Sequence, residues 1–335
     1  MFAMTSDIRI DRYAQVKANS VTWKSSTGDF TDTCVITLPL APYVQKNTTT
    51  TEHTGGARMA AVETCAFRKD DEVIVRLGYN NDNREVFHGF VARVNFRSQL
   101  VLECEGYSYQ LRDRYFNKSY QNTTLRKLLK DLISGTDIQL SPRIDDIPLT
   151  NVWFKNAPAL KVLEWLQKEC CCRVFFDGRY LYAGASRYIH ADPERGTQEV
   201  KLRIGWNVAN ADDLTQTVSE QVQIQIVEKD PKGQVKKTQS ETKKYDNIRE
   251  IKVRAGMPGP FLKKVAAELQ QEQNHNGYEG SITLFGEPHV FKADKLRITD
   301  NRFPERSGSY FADTIEGSFG EQGFRRKIKL RRYND

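Results

Sequence analysis

The residues able to carry chemistry in this chain are few. They include six cysteines, five histidines, the aspartate pairs Asp145-Asp146 and Asp212-Asp213, and a basic run over 321–335. Cys34, Cys65 and Cys104 stand singly, and Cys170, Cys171 and Cys172 are consecutive. Zinc or thioredoxin-like redox chemistry needs a spacing such as C-x-x-C, which lets two sulfurs meet at one point. No such pair occurs. The triplet therefore reads as small apolar residues at a helix-to-strand junction, with reduced thiols. His53, His88, His190, His275 and His289 are far apart and none forms H-x-x-x-H. A helical zinc site has no support, and His88 reads as a strand histidine, packed or at the surface.

Phosphate cradles are also missing. Thr54-Gly55-Gly56-Ala57-Arg58 lacks the P-loop spacing. Gly256-Met257-Pro258-Gly259-Pro260 leads into a helix, but its prolines remove the backbone N–H donors that an anion would need. Asp145-Asp146 and Asp212-Asp213 are neighbours in sequence, and neighbours on extended chain point apart. They read as turn and cap residues. No G-x-S-x-G elbow is present. The expectation is no catalytic residue, no cofactor and no metal.

Charge says more. The chain has 335 residues, 28% of them charged, with a formal net charge of +7. More than half of that excess lies in Glu321-Gln-Gly-Phe-Arg-Arg-Lys-Ile-Lys-Leu-Arg-Arg-Tyr-Asn-Asp335. The run alternates. Phe324, Ile328 and Leu330 share one strand face with Arg326 and Arg332, while Arg325, Lys327, Lys329 and Arg331 share the other. A half-buried strand with a cationic ribbon fits this pattern, and these last four residues are the candidate partner interface or conduit lining. No stretch reaches the length of a membrane helix, and MFAMTSDIRIDRY has no apolar core of a secretory signal, so no membrane insertion is expected.

The surrounding elements follow from periodicity. Residues 1–112 read as a β-domain, with alternation at Val73, Val75 and Leu77, then Val86 to Val94, then Leu100 to Gly106. Gln45 to Arg58 is polar and repetitive, and is expected to be a long mobile loop. Residues 113–188 switch period. Leu125, Leu128, Leu129, Leu132 and Ile133 mark one helical face, with Asn122 or Thr123 as its cap. A second helix spans about 158–169, and Asp177-Gly178 between aromatic runs predicts a hairpin. Residues 189–335 return to strands, with a helix at about 261–273. Val222, Ile224 and Ile226, alternating with glutamines, are expected to form a barrel strand with one face buried and one presented. The fold class is α+β, mainly β.

Three stretches resemble the baseplate hub proteins of contractile phage tails. This is the late control protein D and Mu-type tail hub family, related to the hub half of type VI secretion spikes. The first stretch is Glu85-Val86-Phe87-His88-Gly89-Phe90-Val91 with Leu102-Glu103-Cys104-Glu105-Gly106-Tyr107. The second is Thr123 to Leu129 through Trp153, Leu160 to Leu166 and the Phe175 to Tyr182 hairpin. The third is Gly286-Glu287-Pro288, Lys295 to Ile298, Gly308-Ser309-Tyr310 and Gly323 to Ile328. Asp294 departs from the family, where Gly is frequent.

The resemblance implies two tail-tube-like antiparallel β-barrels, 1–112 and 189–335, with an inserted helix–helix–hairpin domain at 113–188. It implies a structural hub and no enzyme. Three chains would form a pseudo-sixfold ring that adapts a hexameric tail tube to a trimeric central spike and surrounds the conduit. Implied partners are the chain itself as homotrimer, a spike protein, and a tail tube or tube-initiator protein. The tape measure protein's C-terminus is a further one, and DNA passes only in transit. The implied location is the virion baseplate, assembled in the host bacterial cytoplasm. Two other readings compete: a tail-tip peptidoglycan hydrolase, and a nucleic-acid-binding module using the basic strand.

Overall fold

The computed structural model describes residues 3–40, 44–53, 56–96, 98–196, 199–218, 221–229, 234–239, 247–274 and 276–332. The chain divides into two compact units, both discontinuous in sequence. One comprises Met1–Trp23, Thr33–Gly106 and Gly317–Phe324, and the other Lys24–Asp32, Tyr107–Glu316 and Arg325–Asp335. The 113–188 segment belongs to the larger unit.

In the smaller unit the period-2 apolar pattern dictates the sheet. Its strands run in the order Met4–Ile10, Glu72–Tyr79, Asp82–Phe96, Leu100–Glu105, Thr33–Leu38 and Ser20–Ser26. Alternate residues point to one core: Ile8 and Ile10, Val73, Val75 and Leu77, Ile36 and Leu38, Leu100 and Leu102. Trp23 and Phe324 meet edge to face in it, 6.0 Å between centroids. The segment expected as a long loop at 45–58 instead folds as a hairpin. Val44–His53 pairs antiparallel with Gly56–Cys65, with the tip at 54–55 outside the described residues. Its run of threonines suits a strand, because β-branched side chains favour extended backbone.

Gly89 shows what the F-x-G-x-V pattern is for. A Cβ on Gly89 would lie 2.1 Å from the backbone oxygen of Glu105 and 2.8 Å from the Phe87 ring. Glu105 pairs with Phe90 on the adjacent strand, and a register shift follows between Val91 and Arg93. The glycine therefore permits close strand approach beside a bulge.

The larger unit holds a second strand series. Glu199–Arg203, Lys295–Thr299, Gly308–Gly320, Gly323–Arg332, Asn276–Phe285 and Val208–Asn210 are neighbours in that order. An isolated bridge links Ile204 and Val208 across the short turn between the first and last of these strands. Leu202, Leu296, Ile298, Tyr310, Ile282, Leu284, Ile328 and Leu330 fill the interior.

The helices lie where periodicity places them. Helix α1 is Leu125–Leu132, with Leu125, Leu128, Leu129 and Leu132 buried. Its cap is Thr124, one residue beyond the expected positions, whose side chain accepts from Lys127 N. Helix α2 is Ala159–Glu169 and helix α3 is Gly259–Gln273. The hairpin Arg173–Asp177 and Tyr180–Gly184 turns at Gly178, whose φ of +57° suits glycine.

One strand corrects its expectation. Val222–Lys229 is not in this series but lies between Val235–Gln239 and Asn247–Arg254 in a separate three-stranded sheet. Both of its faces are covered. Helix α3 packs against this sheet, Gln223 and Gln225 are buried with Ile224 and Ile226, and Gln270 of α3 accepts from Ile224 N. Alternation with glutamine looks solvent-facing, yet a glutamine can be buried once its amide is paired.

Replacing Gly89 with Ala should destabilise the fold by about 1–3 kcal/mol, the usual cost of overpacking a closed core. Urea unfolding measures it, and an unchanged midpoint would contradict the close approach.

Candidate functional site

The strand Gly323–Arg332 pairs with Asn276–Phe285, which places Ser281 opposite Lys329 and Thr283 opposite Lys327. Its inward residues Phe324, Arg326, Ile328 and Leu330 are buried. Arg326 is satisfied inside: its guanidinium lies 2.7 Å from His289 Nδ1 and donates to Val290 O at 3.4 Å. The outward residues are the four read from the sequence, and the structure gives them different surroundings. Arg325 lies over the Phe285 ring at 4.6 Å. Lys327 Nζ is 2.8 Å from Asp213, an exposed pair that raises the lysine pKa and lowers that of the aspartate. Arg331 pairs with Glu279 at 3.1 Å and donates to Glu272 O. Lys329 is exposed, with no acidic partner among the described residues. The four share a face but form a partly neutralised ribbon.

The other sequence candidates resolve into structural roles. Asp145 accepts from Ala185 N at 2.8 Å and pairs with Lys264. Asp146 accepts from Arg126 N in the first turn of α1. Asp212 accepts from Asn210 Nδ2, and Asp213 from Ser281 Oγ. Cys170–Cys172 span the end of α2 and the start of the next strand, and burial raises all three thiol pKa values, Cys170 to about 12. Raised pKa values keep them as thiols, which neither attack nor bind metal readily. His88 Nε2 lies 2.8 Å from Glu72. Among the described residues no group of three or more metal-ligating side chains converges.

A buried ionic cluster in the larger unit escaped the sequence. His190 is 2% exposed, with Nε2 2.9 Å from Asp294 Oδ1 and Nδ1 3.9 Å from Asp177 Oδ2. Asp177 Oδ1 also receives Arg195 at 2.8 Å, and its Oδ2 accepts from Ala191 N. Asp294 accepts from Phe291 N, and the Arg195 guanidinium stacks on Phe291 at 3.8 Å. Lys292, two residues before Asp294, reaches the distant Asp32 at 2.7 Å. Burial opposes the charge on His190, but the carboxylates of Asp177 and Asp294 outweigh it and carry its pKa up to about 9. Burial likewise opposes ionisation of Asp177, yet His190 and Arg195 hold its pKa below the usual carboxylate range. Asp294 is the residue at which the resemblance departs from its family, and His190 is what it pairs with. The residues are over 100 positions apart in sequence, so no local spacing signals the pair.

No family model and no curated protein matches the sequence. Solved structures do. The tail protein from Neisseria meningitidis MC58 matches with a TM-score of 0.65 and 11% identity, over 98% of this chain and 96% of its own. The 43 kDa tail protein of prophage MuSo2 from Shewanella oneidensis matches at 0.61 and 13%, over 98% and 97%. The E. coli c3393 protein, described as a type VI secretion component similar to T4 tail proteins gp27 and gp5, matches at 0.59 and 11%, over 98% and 77%. The chain has the fold of these tail proteins along nearly its whole length.

The His190 cluster predicts a pH profile. A folded pKa near 9 against an unfolded value near 6.5 gives stabilisation that is full below pH 6.5 and lost as pH rises through 9. His190→Gln should cost about 3 kcal/mol near neutral pH, because it strands buried carboxylates. It should also flatten stability across that window. Chemical denaturation from pH 6 to 10 reads both, and parallel profiles for the two proteins would count against the cluster.

Proposed function

We propose that the chain is a structural hub of a phage-type tail baseplate. The observation that supports this best is likeness over 98% of the chain to tail proteins of similar length. The likeness spans both the smaller unit's sheet and the larger unit's strand series. The proposed division is two tube-like barrels with the helix–helix–hairpin region set between them in sequence. Two barrels per chain would let three chains present six barrel faces to a hexameric tube and three equivalent faces to a trimeric spike. Head-to-tail contacts that close into a ring are the geometry such an adapter needs.

In this reading the role is mechanical, with no catalytic step. Partners are two further copies of the chain, a central spike protein, a tube or tube-initiator protein, and the C-terminus of a tape measure protein. DNA passes through without being read. Arg325, Lys327, Lys329 and Arg331 would line the conduit or meet an acidic partner. Lys329, with no acidic partner among the described residues, leaves a positive charge to offer. Among the described residues no helix is long and apolar enough to cross a membrane. The proposed location is the virion baseplate, reached after assembly in the host cytoplasm.

Electron cryo-microscopy of assembled particles should find three copies of this chain on the tail axis between tube and spike. Six copies, or a position away from the axis, would overturn the proposal. Lys329→Glu with Arg325→Glu should lower the yield of complete tails several-fold while leaving the melting temperature of the isolated chain within a few degrees. An equal yield would remove the ribbon from the interface.

A further inference from the structure

The larger unit contains a cleft of about 630 Å³ formed by two loops, 203–212 and 300–306. The loops follow Glu199–Arg203 and Lys295–Thr299, which are parallel neighbours, so both leave the strand series at the same end. Arg203, Trp206, Asp300, Arg302, Phe303 and Arg306 line it. Trp206 is 77% exposed and Phe303 42%. An indole that open to water is costly to present without a partner, and Trp and Arg are the residues most enriched at binding hot spots.

Both loops are held in place before any ligand arrives. Asn207 Oδ1 accepts from Arg203 N and its amide donates to Lys201 O, while Trp206 N donates to Arg203 O. Gly205, with φ of +83°, makes this turn possible. On the other side, Asp300 Oδ1 accepts from Arg302 N and Phe303 N, and Ser307 Oγ accepts from Asp300 N. Arg306 is fixed between Asp300 at 4.0 Å and the Phe303 ring at 4.7 Å. A pre-ordered site loses little entropy on binding.

Charge selects the occupant. Arg203 and Arg302 are exposed and have no acidic partner among the described residues. The lining carries three arginines, Arg203, Arg302 and Arg306, against two aspartates, Asp212 and the buried Asp300. The rim is therefore positive and the walls are aromatic. Single-stranded nucleic acid fits less well, because it needs successive open stacking platforms. Phe303 already holds the guanidiniums of Arg302 at 5.9 Å and Arg306 at 4.7 Å, which leaves Trp206 as the open ring of the cleft.

We propose that this cleft docks an acidic peptide segment of another protein, one that presents an apolar or aromatic side chain to Trp206 and carboxylates to Arg203 and Arg302. The assignment does not depend on the tail-hub reading, since it rests on the loops alone.

The test uses the full chain and a fluorescent random copolymer of glutamate and tyrosine, with polyglutamate and a single-stranded oligonucleotide as competing probes. The copolymer should bind, and more tightly than polyglutamate. Trp206→Ala should weaken it at least tenfold, as should Arg203→Glu with Arg302→Glu. Lys329→Glu should leave it within twofold. Each variant is first checked for an unchanged melting temperature, and Arg302→Gln serves if the reversal perturbs folding. Absence of copolymer binding, equal affinity in the cleft variants, or displacement by the oligonucleotide at matched charge would each overturn the proposal.

Discussion

A strand with one apolar face must have that face covered, and an edge left without hydrogen bonds is a liability. Most of this molecule is organised by that requirement. In the smaller unit Ile8, Val75, Leu102 and Ile36 come from four different strands and meet in one core. In the larger unit Leu202, Leu296, Tyr310, Ile328 and Leu284 likewise meet in one interior. The turn between Arg203 and Val208 takes Gly205 into the left-handed region and leaves Trp206 exposed in it. The exposed indole is a product of how tightly these two strands are linked.

Charged groups inside the larger unit obey a second constraint. Taking Asp177, His190 and Asp294 out of water costs several kcal/mol per ion, and their attraction roughly returns it. Net stability is therefore a poor reason for such a cluster, and geometric specificity a better one. Asp177 ends a strand of the hairpin, His190 lies in the segment after it, and Asp294 immediately precedes Lys295–Thr299. A misplaced element would leave a bare charge in the interior. A glycine at position 294 could not make this pairing, so here the departure from the family pattern has a physical reason.

Much of the fold was legible in the sequence because it is written in local periods. Alternation at Val73, Val75 and Leu77 and the Leu125 to Leu132 face each translate directly into burial. Asp177-Gly178 set the hairpin turn. Legibility failed where a distant element changed the meaning of a local pattern. Gln223 and Gln225 read as solvent-facing, yet both are buried in a sheet against which helix α3, some forty residues later, packs. The threonine run at 48–51 is polar like a loop, but its β-branching favours extended backbone, and it pairs as a strand. The His190–Asp294 pair and the Trp206–Phe303 cleft join residues about a hundred apart. Single-sequence spacing holds no trace of either, and only the parallel pairing of Glu199–Arg203 with Lys295–Thr299 brings the two cleft loops together.

The net charge of +7 takes on a different meaning once its positions are known. The basic strand supplies most of the excess, yet two of its four outward cations meet Asp213 and Glu279, and Arg326 is spent inside on His289 and Val290. Exposed pairs of this kind contribute little to stability and are weakened by salt. They still cancel field at short range, so the ribbon is a weaker electrostatic feature than its composition suggests. Uncompensated charge instead appears at Lys329 and at the rim of the cleft, on Arg203 and Arg302. A chain that bound DNA through bulk charge would concentrate its unpaired cations along one track. Here Lys329 lies on a strand face, while Arg203 and Arg302 line a loop cleft beside an exposed indole.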